Sequence, residues 1–107
     1  MVRSRDIVWA RLPPPLGRRP VCVLTRDAAI PVLHRITVAP ITTVERGIRT
    51  EVPVGGDEGL DRRSVISCDN LLTVAKSVLD STPVGRLSGQ KRAQLDTALR
   101  YALAIRS

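Results

Sequence analysis

Prolines constrain this chain more than any other residue type. Pro13-Pro14-Pro15, Pro20, Pro31, Pro40, Pro53 and Pro83 interrupt the stretches a long helix would need. Proline locks φ and lacks an N–H, so it breaks helix interiors and sits in sheets only at ends, edges or bends. The runs between the prolines are short and rich in valine and isoleucine, as strands are. Asp6 to Arg11 reads as a first strand and Pro20 to Thr25 as a central, apolar second strand. Ile36 to Ile41 reads as a third, stopping or bending at Pro40. Arg49 to Val54 alternates polar and apolar residues, the pattern of a half-exposed edge strand. Ser64 to Cys68 follows, continuing through a bend to Val74, and Val84 to Leu87 closes the set. Ala75 to Asp80 holds room for one helical turn, and Gly55 to Gly59 reads as a flexible acidic loop.

Only the last segment has helical periodicity. Ser88 suits an N-cap, and Leu95, Ala98, Leu99, Ala102 and Ile105 recur on one face from Gln90 to Ile105. Asp96 and Arg100 are spaced for a pair on another face. Short strands followed by one helix predict a mainly β fold, a small SH3-like antiparallel β-barrel with a C-terminal helix. A chain of 107 residues makes one domain, residues 1–107. So small a core would gain from a dimer.

Two polar strand ends stand out. Arg18 and Arg19 read as loop residues before the second strand, and the third strand runs out into Thr42 and Thr43. A strand flanked by arginine and a strand ending in threonine can together form an anion site. The charge agrees with that. The net charge is +7, from 15 Arg and 2 Lys against 10 acids, and residues 1–50 carry +6 of it. That imbalance fits a polyanionic partner, although free use of arginine would also produce it. Trp9 and Tyr101 are the only aromatic residues, too few for a base-stacking platform. Cys22 and Cys68 lie far apart in apolar runs and, with the single His34, cannot make a four-ligand zinc site. They read as buried reduced thiols, and no metal or other cofactor is expected. No apolar run approaches a membrane span, and the start has no signal-peptide core, so no membrane association and a cytosolic location are expected.

Metal-free RNA cleavage is one chemistry such a site can serve. The 2′-OH attacks its own phosphate, and the charge on phosphorus must be stabilised. Arginine supplies several fixed donors and a threonine hydroxyl one more. The residues alone also allow Arg19 to pair with Asp27 or another surface acid, and Thr42 to satisfy backbone groups at the strand end.

Arg19-Pro20-Val21-Cys22-Val23-Leu24, Val38-Ala39-Pro40-Ile41-Thr42 and Ser64-Val65-Ile66-Ser67-Cys68-Asp69-Asn70 occur in an order and spacing that resemble the MazF/PemK/Kid toxins. Asp6-Ile7-Val8-Trp9 resembles that family's first strand, and the likeness runs from Asp6 to Ile105. It implies a homodimeric, ribosome-independent, sequence-specific mRNA endoribonuclease of a type II toxin–antitoxin pair. The implied cut in single-stranded RNA needs no metal and leaves 2′,3′-cyclic phosphate and 5′-OH ends. The implied partner is an acidic MazE-like antitoxin.

The family's catalytic arginine falls on Arg19 and its catalytic threonine on Thr42. Its polar, often base-contacting position after the later strand falls on Asn70, and Ser64 matches a residue near the RNA groove. Arg18, read as a phosphate-positioning or solvated charge, and Thr43 complete the expected RNA-binding residues. Arginine's reference pKa above ~12 suits charge stabilisation better than proton abstraction. Three positions depart from the pattern. Arg5 stands where glycine is usual, the loop after Leu12 lacks a glutamate that some members carry, and Leu72 replaces an arginine found in some. The alternative from another class is a non-enzymatic poison like the related CcdB, or an RNA- or protein-binding barrel. CcdB acts through a C-terminal Trp-Gly-Ile, and Leu103 to Ser107 does not match it.

Overall fold

The computed structural model describes residues 1–106, and the expected domain's last residue, Ser107, lies outside them. Seven strands form one bent antiparallel sheet: β1 (Asp6–Arg11), β2 (Arg18–Val23), β3 (Arg35–Thr42), β4 (Glu51–Val54), β5 (Ser64–Ser67), β6 (Leu72–Ala75) and β7 (Gly85–Arg86). One helix, α1 (Gly89–Ala102), follows. Neighbours run β4-β5-β3-β2-β1-β7, and β6 pairs separately with β3. The result is a half-barrel with the helix packed on it.

The central strands are buried on both faces, which explains their unbroken apolar runs. Ile7, Cys22, Ala39 and Ile41 face one core with Leu95 and Ala98 of α1. Val8, Ala10, Val21, Val23, Ile36 and Val38 face a second core with Ile30 and Val74. Successive strand residues point to opposite faces, so β1, β2 and β3 each feed both.

Pro40 lies inside β3 rather than stopping it. Thr37 accepts from Leu24 N–H and donates its own N–H to Thr25 Oγ1, so it faces the β2 side. Alternation then turns the nitrogen of Pro40 the other way. On that side β3 changes partners, from Leu72 of β6 opposite Val38 to Ile66 of β5 opposite Ile41. The missing N–H falls where no partner strand needs it. The same change of partner separates β5 from β6, which are two strands joined by a turn and not one bent strand.

Several local expectations are corrected. Arg18 and Arg19 belong to β2, opposite Arg11 and Ala10, and not to a loop. Gly55 to Gly59 is an ordered turn. The buried Glu58 carboxylate accepts from Gly55 N–H at 2.6 Å, and a Cβ on Gly59 would stand 2.1 Å from Val84 O. The helix has its Ser88 cap, with Lys91 N–H donating to the hydroxyl at 3.2 Å, but it ends at Ala102 and leaves Ile105 exposed. Asp96 pairs with Arg5 at 3.1 Å and not with Arg100. Arg5 has a φ of 72°, in the left-handed region that favours glycine. Its guanidinium also donates to Leu24 O at 3.0 Å, so one side chain ties the entry to β1 to β2 and α1. Those bonds oppose the backbone cost of a non-glycine residue there.

Candidate functional site

Where β2 begins and β3 ends, the second core gives way to a cleft of about 540 Å³. Arg19, Pro40 and Thr42 continue the strand faces that carry Val21, Val23, Ile36 and Val38, so alternation alone directs them there. The end of β5 contributes Ser67, the turn from β5 to β6 contributes Asp69 and Asn70, and the loop from β3 to β4 contributes Val44, Arg46 and Ile48. Leu16, Leu71 and Leu72 make its apolar surface.

Arg19 Nε donates to Leu16 O at 2.9 Å, which fixes the plane of the guanidinium. Among the described residues no acid pairs with Arg19, and its two terminal nitrogens have no protein acceptor. Asp27, the alternative partner, accepts instead from Ser4 N–H at 2.7 Å. Thr42 Oγ1 accepts from Val44 N–H at 3.1 Å, which leaves its O–H free to donate. Asn70 Nδ2 donates to Ser67 Oγ at 2.8 Å, which orients the amide and leaves its carbonyl oxygen for a ligand. The cleft therefore presents a planar fork of donors, a hydroxyl donor and an oriented amide.

The acids in the cleft are already engaged. Asp69 accepts from Thr50 Oγ1 at 2.6 Å. Glu51 accepts from Arg46 N–H at 2.9 Å and Gly47 N–H at 3.0 Å. Their negative charge is partly met by donors, which eases the approach of an anion to Arg19.

Arg19, Thr42 and Asn70 come together, and three other expected site residues do not join them. Arg18 lies with its guanidinium 4.5 Å from the Trp9 ring and 3.6 Å from Asp80. Thr43 is exposed beyond the cleft lining. Ser64 is buried at the far end of β5 and donates to Arg62 O at 3.0 Å. Arg46, Glu51, Ser67 and Asp69 are the residues that sequence reasoning missed. Ser67 and Asp69 stand inside the Ser64–Asn70 motif, and Arg46 precedes a glycine at a loop tip. Glu51 carried no signal beyond its place in an edge strand.

Burial pushes the Cys22 thiol up to about 12 and the Cys68 thiol up to about 11, so neither is a nucleophile near neutrality. His34 lies in the turn before β3, away from the cleft lining. No helix among the described residues is long and apolar enough to cross a membrane.

A curled antiparallel half-barrel packed against one C-terminal helix, with an arginine and a threonine at one rim, defines a small mainly β protein with a polar cleft at the end of its central strands. Residues 3–103 match the family of PemK-like, MazF-like toxins of type II toxin–antitoxin systems, and the chain belongs to that family. Endoribonuclease MazF3 of Mycobacterium tuberculosis is 47% identical over 85 residues, covering 79% of this chain and 78% of that protein. Probable endoribonuclease MazF5 of the same species is 42% identical over 101 residues, covering 94% and 92%. Relatives at this identity make the family one of endoribonucleases. The solved structure of Mycobacterium tuberculosis toxin MazF-mt6 superposes with a TM-score of 0.89 at 40% identity, covering 96% of this chain and all of that one. A mycobacterial endoribonuclease in complex with its cognate antitoxin shares the fold, with a TM-score of 0.87 at 20% identity over 100% of this chain and 99% of that one.

Proposed function

We propose that this chain is a toxin that cleaves single-stranded mRNA in the cytosol at the cleft where β2 begins and β3 ends. The observation that carries the reading is the pair of terminal nitrogens on Arg19, free of any acid, in one cleft with the Thr42 hydroxyl. In the proposed reaction the 2′-oxygen of one nucleotide bonds to the adjacent phosphorus as the P–O5′ bond breaks. The 2′-OH loses its proton and the departing 5′-oxygen gains one. The ends are a 2′,3′-cyclic phosphate and a 5′-OH. Arg19 and Thr42 donate to the non-bridging oxygens as charge gathers there, which lowers the barrier most at the crowded phosphorus. Asn70 reads a base edge beside the cut.

The working unit in this reading is a homodimer, which extends the small core of one chain. An acidic, flexible antitoxin segment, drawn by the basic first half of the chain, covers the cleft and folds as it binds. Incubating the purified protein with end-labelled RNA in EDTA tests the reading. Discrete fragments with 5′-OH ends are expected. Intact RNA, with the protein folded, would leave a non-enzymatic poison as the better account.

A further inference from the structure

The loop between β3 and β4 forms the second wall of the cleft, and its charged side chains are unequally partnered. Glu45 pairs with Arg63 at 3.3 Å. Arg49 lies over the Tyr101 ring, 4.8 Å from its centre. Arg46 lines the cleft, and among the described residues its guanidinium meets no acid and no hydrogen-bond acceptor. Only its backbone is held. The Arg46 and Gly47 N–H groups converge on one carboxylate, that of Glu51, and Gly47 adopts a φ of 69° to allow it. Consecutive N–H groups arranged this way form a small anion-binding concavity, occupied here by the protein's own carboxylate. Glu51 N–H also donates to Ile48 O at 3.1 Å, so the loop is tied at both ends of one residue.

We propose that Arg46 is a second phosphate-binding arginine, contacting a phosphate that flanks the one cut, and that Glu51 is the positioning residue that presents it. This rests on the reading of the cleft as an RNA site. A flanking contact is made equally in the ground state and the transition state, so it sets binding and not the chemical step. Arg19 sits on the other side of that division. Without the Glu51 carboxylate the two N–H groups turn to water and the loop loses the conformation that places Arg46 in the cleft.

The test measures RNA binding against salt, and KM and kcat, for the full-length protein. Each phosphate contact on a single strand contributes about 0.7 to the slope of log affinity on log salt. Arg46→Ala is expected to lower that slope by about 0.7 and raise KM, with kcat unchanged. Arg46→Lys restores the slope, because a point charge suffices for a flanking phosphate. Glu51→Ala gives the same loss of slope, and adding it to Arg46→Ala changes nothing further. Glu51→Gln, which keeps one acceptor oxygen and the side-chain shape, falls between wild type and Glu51→Ala and serves where the alanine variant does not fold. An unchanged slope and KM for Arg46→Ala, in a preparation whose wild type cuts RNA, would overturn the inference and leave the function standing. A further drop when Glu51→Ala is added to Arg46→Ala would overturn the positioning role. A wild type that binds no RNA would remove the function and the inference together.

Discussion

Arg18 and Arg19 are neighbours in the chain, yet β2 turns them to opposite faces of the sheet, and the two faces treat them differently. On one face Arg18 is provided for, with Trp9 beneath its guanidinium and Asp80 beside it. On the other, Arg19 is held only through Nε, and its remaining donors face a cleft whose two acids, Glu51 and Asp69, are engaged by other donors. The charge is the same and the intervening distance is one residue. An arginine's role here is set by whether the fold has already paired it. The unpaired one lines the same cleft as the Thr42 hydroxyl, which also keeps a proton to donate.

The sharpest test of that contrast removes the unpaired side. Arg19→Ala is expected to lower single-turnover cleavage by at least about a hundredfold, the effect of losing ~3 kcal/mol of transition-state stabilisation. Arg19→Lys should recover little, since an ammonium cannot reproduce the planar fork. Circular dichroism should show both variants folded, because the side chain makes one hydrogen bond and no ion pair. Near wild-type cleavage by folded Arg19→Ala would erase the difference between the two faces.

The elements that sequence reasoning found are those where local and tertiary demands agree. β1, β2 and β3 are buried on both faces through their middles, so those stretches are apolar and readable without the structure. Ser88 caps α1 through a bond to a residue three positions away, which a local pattern can express. Arg19 and Thr42 stand out in the sequence as polar strand ends, but an unpaired arginine and a surface arginine look alike there, and it was the likeness of the flanking motifs to a family that favoured them. What escaped depends on distant contacts. Asp96 prefers Arg5, 91 positions away, over the locally spaced Arg100. Asp69 is in the cleft wall because Thr50 holds it, across 19 positions. The turn at Gly55 is ordered by the burial of Glu58, against its glycine-rich composition. Even the strand boundary at Arg18 was missed, because two charged residues read as loop until β1 is seen to pair with them.

Thr42 offers a smaller and more selective probe. Its hydroxyl both accepts from Val44 N–H and keeps a proton to donate. Thr42→Ala removes both functions and should lower cleavage by roughly tenfold or more, short of the Arg19→Ala effect because a neutral donor is weaker than a charged one. Thr42→Ser retains the oxygen and should keep much of the activity. Thr43→Ala, outside the cleft lining, should change the rate little. Equal losses at Thr42 and Thr43 in single-turnover assays would mean that the loop as a whole, and not one hydroxyl, matters.

The smallest effect is expected on the paired face, and it should be of a different kind. Arg18 stacks on Trp9 at an exposed site, an arrangement worth about 0.5–1 kcal/mol. Its contact with Asp80 is 3.6 Å long and open to water, so that pair adds little. Arg18→Ala should therefore lower the melting temperature by a few degrees, since about 1 kcal/mol moves a domain of this size by ~4–8 °C. Trp9 is the chain's only tryptophan, so its fluorescence reports the loss of the stack directly. Cleavage should stay within about threefold of wild type, and the salt dependence of RNA binding should hold. A salt slope flattened as much by Arg18→Ala as by Arg46→Ala would mean that RNA reaches around the sheet to the Trp9 face. The stack would then be a resting place from which Arg18 is drawn to phosphate, and pairing within the fold would no longer separate a structural arginine from a functional one.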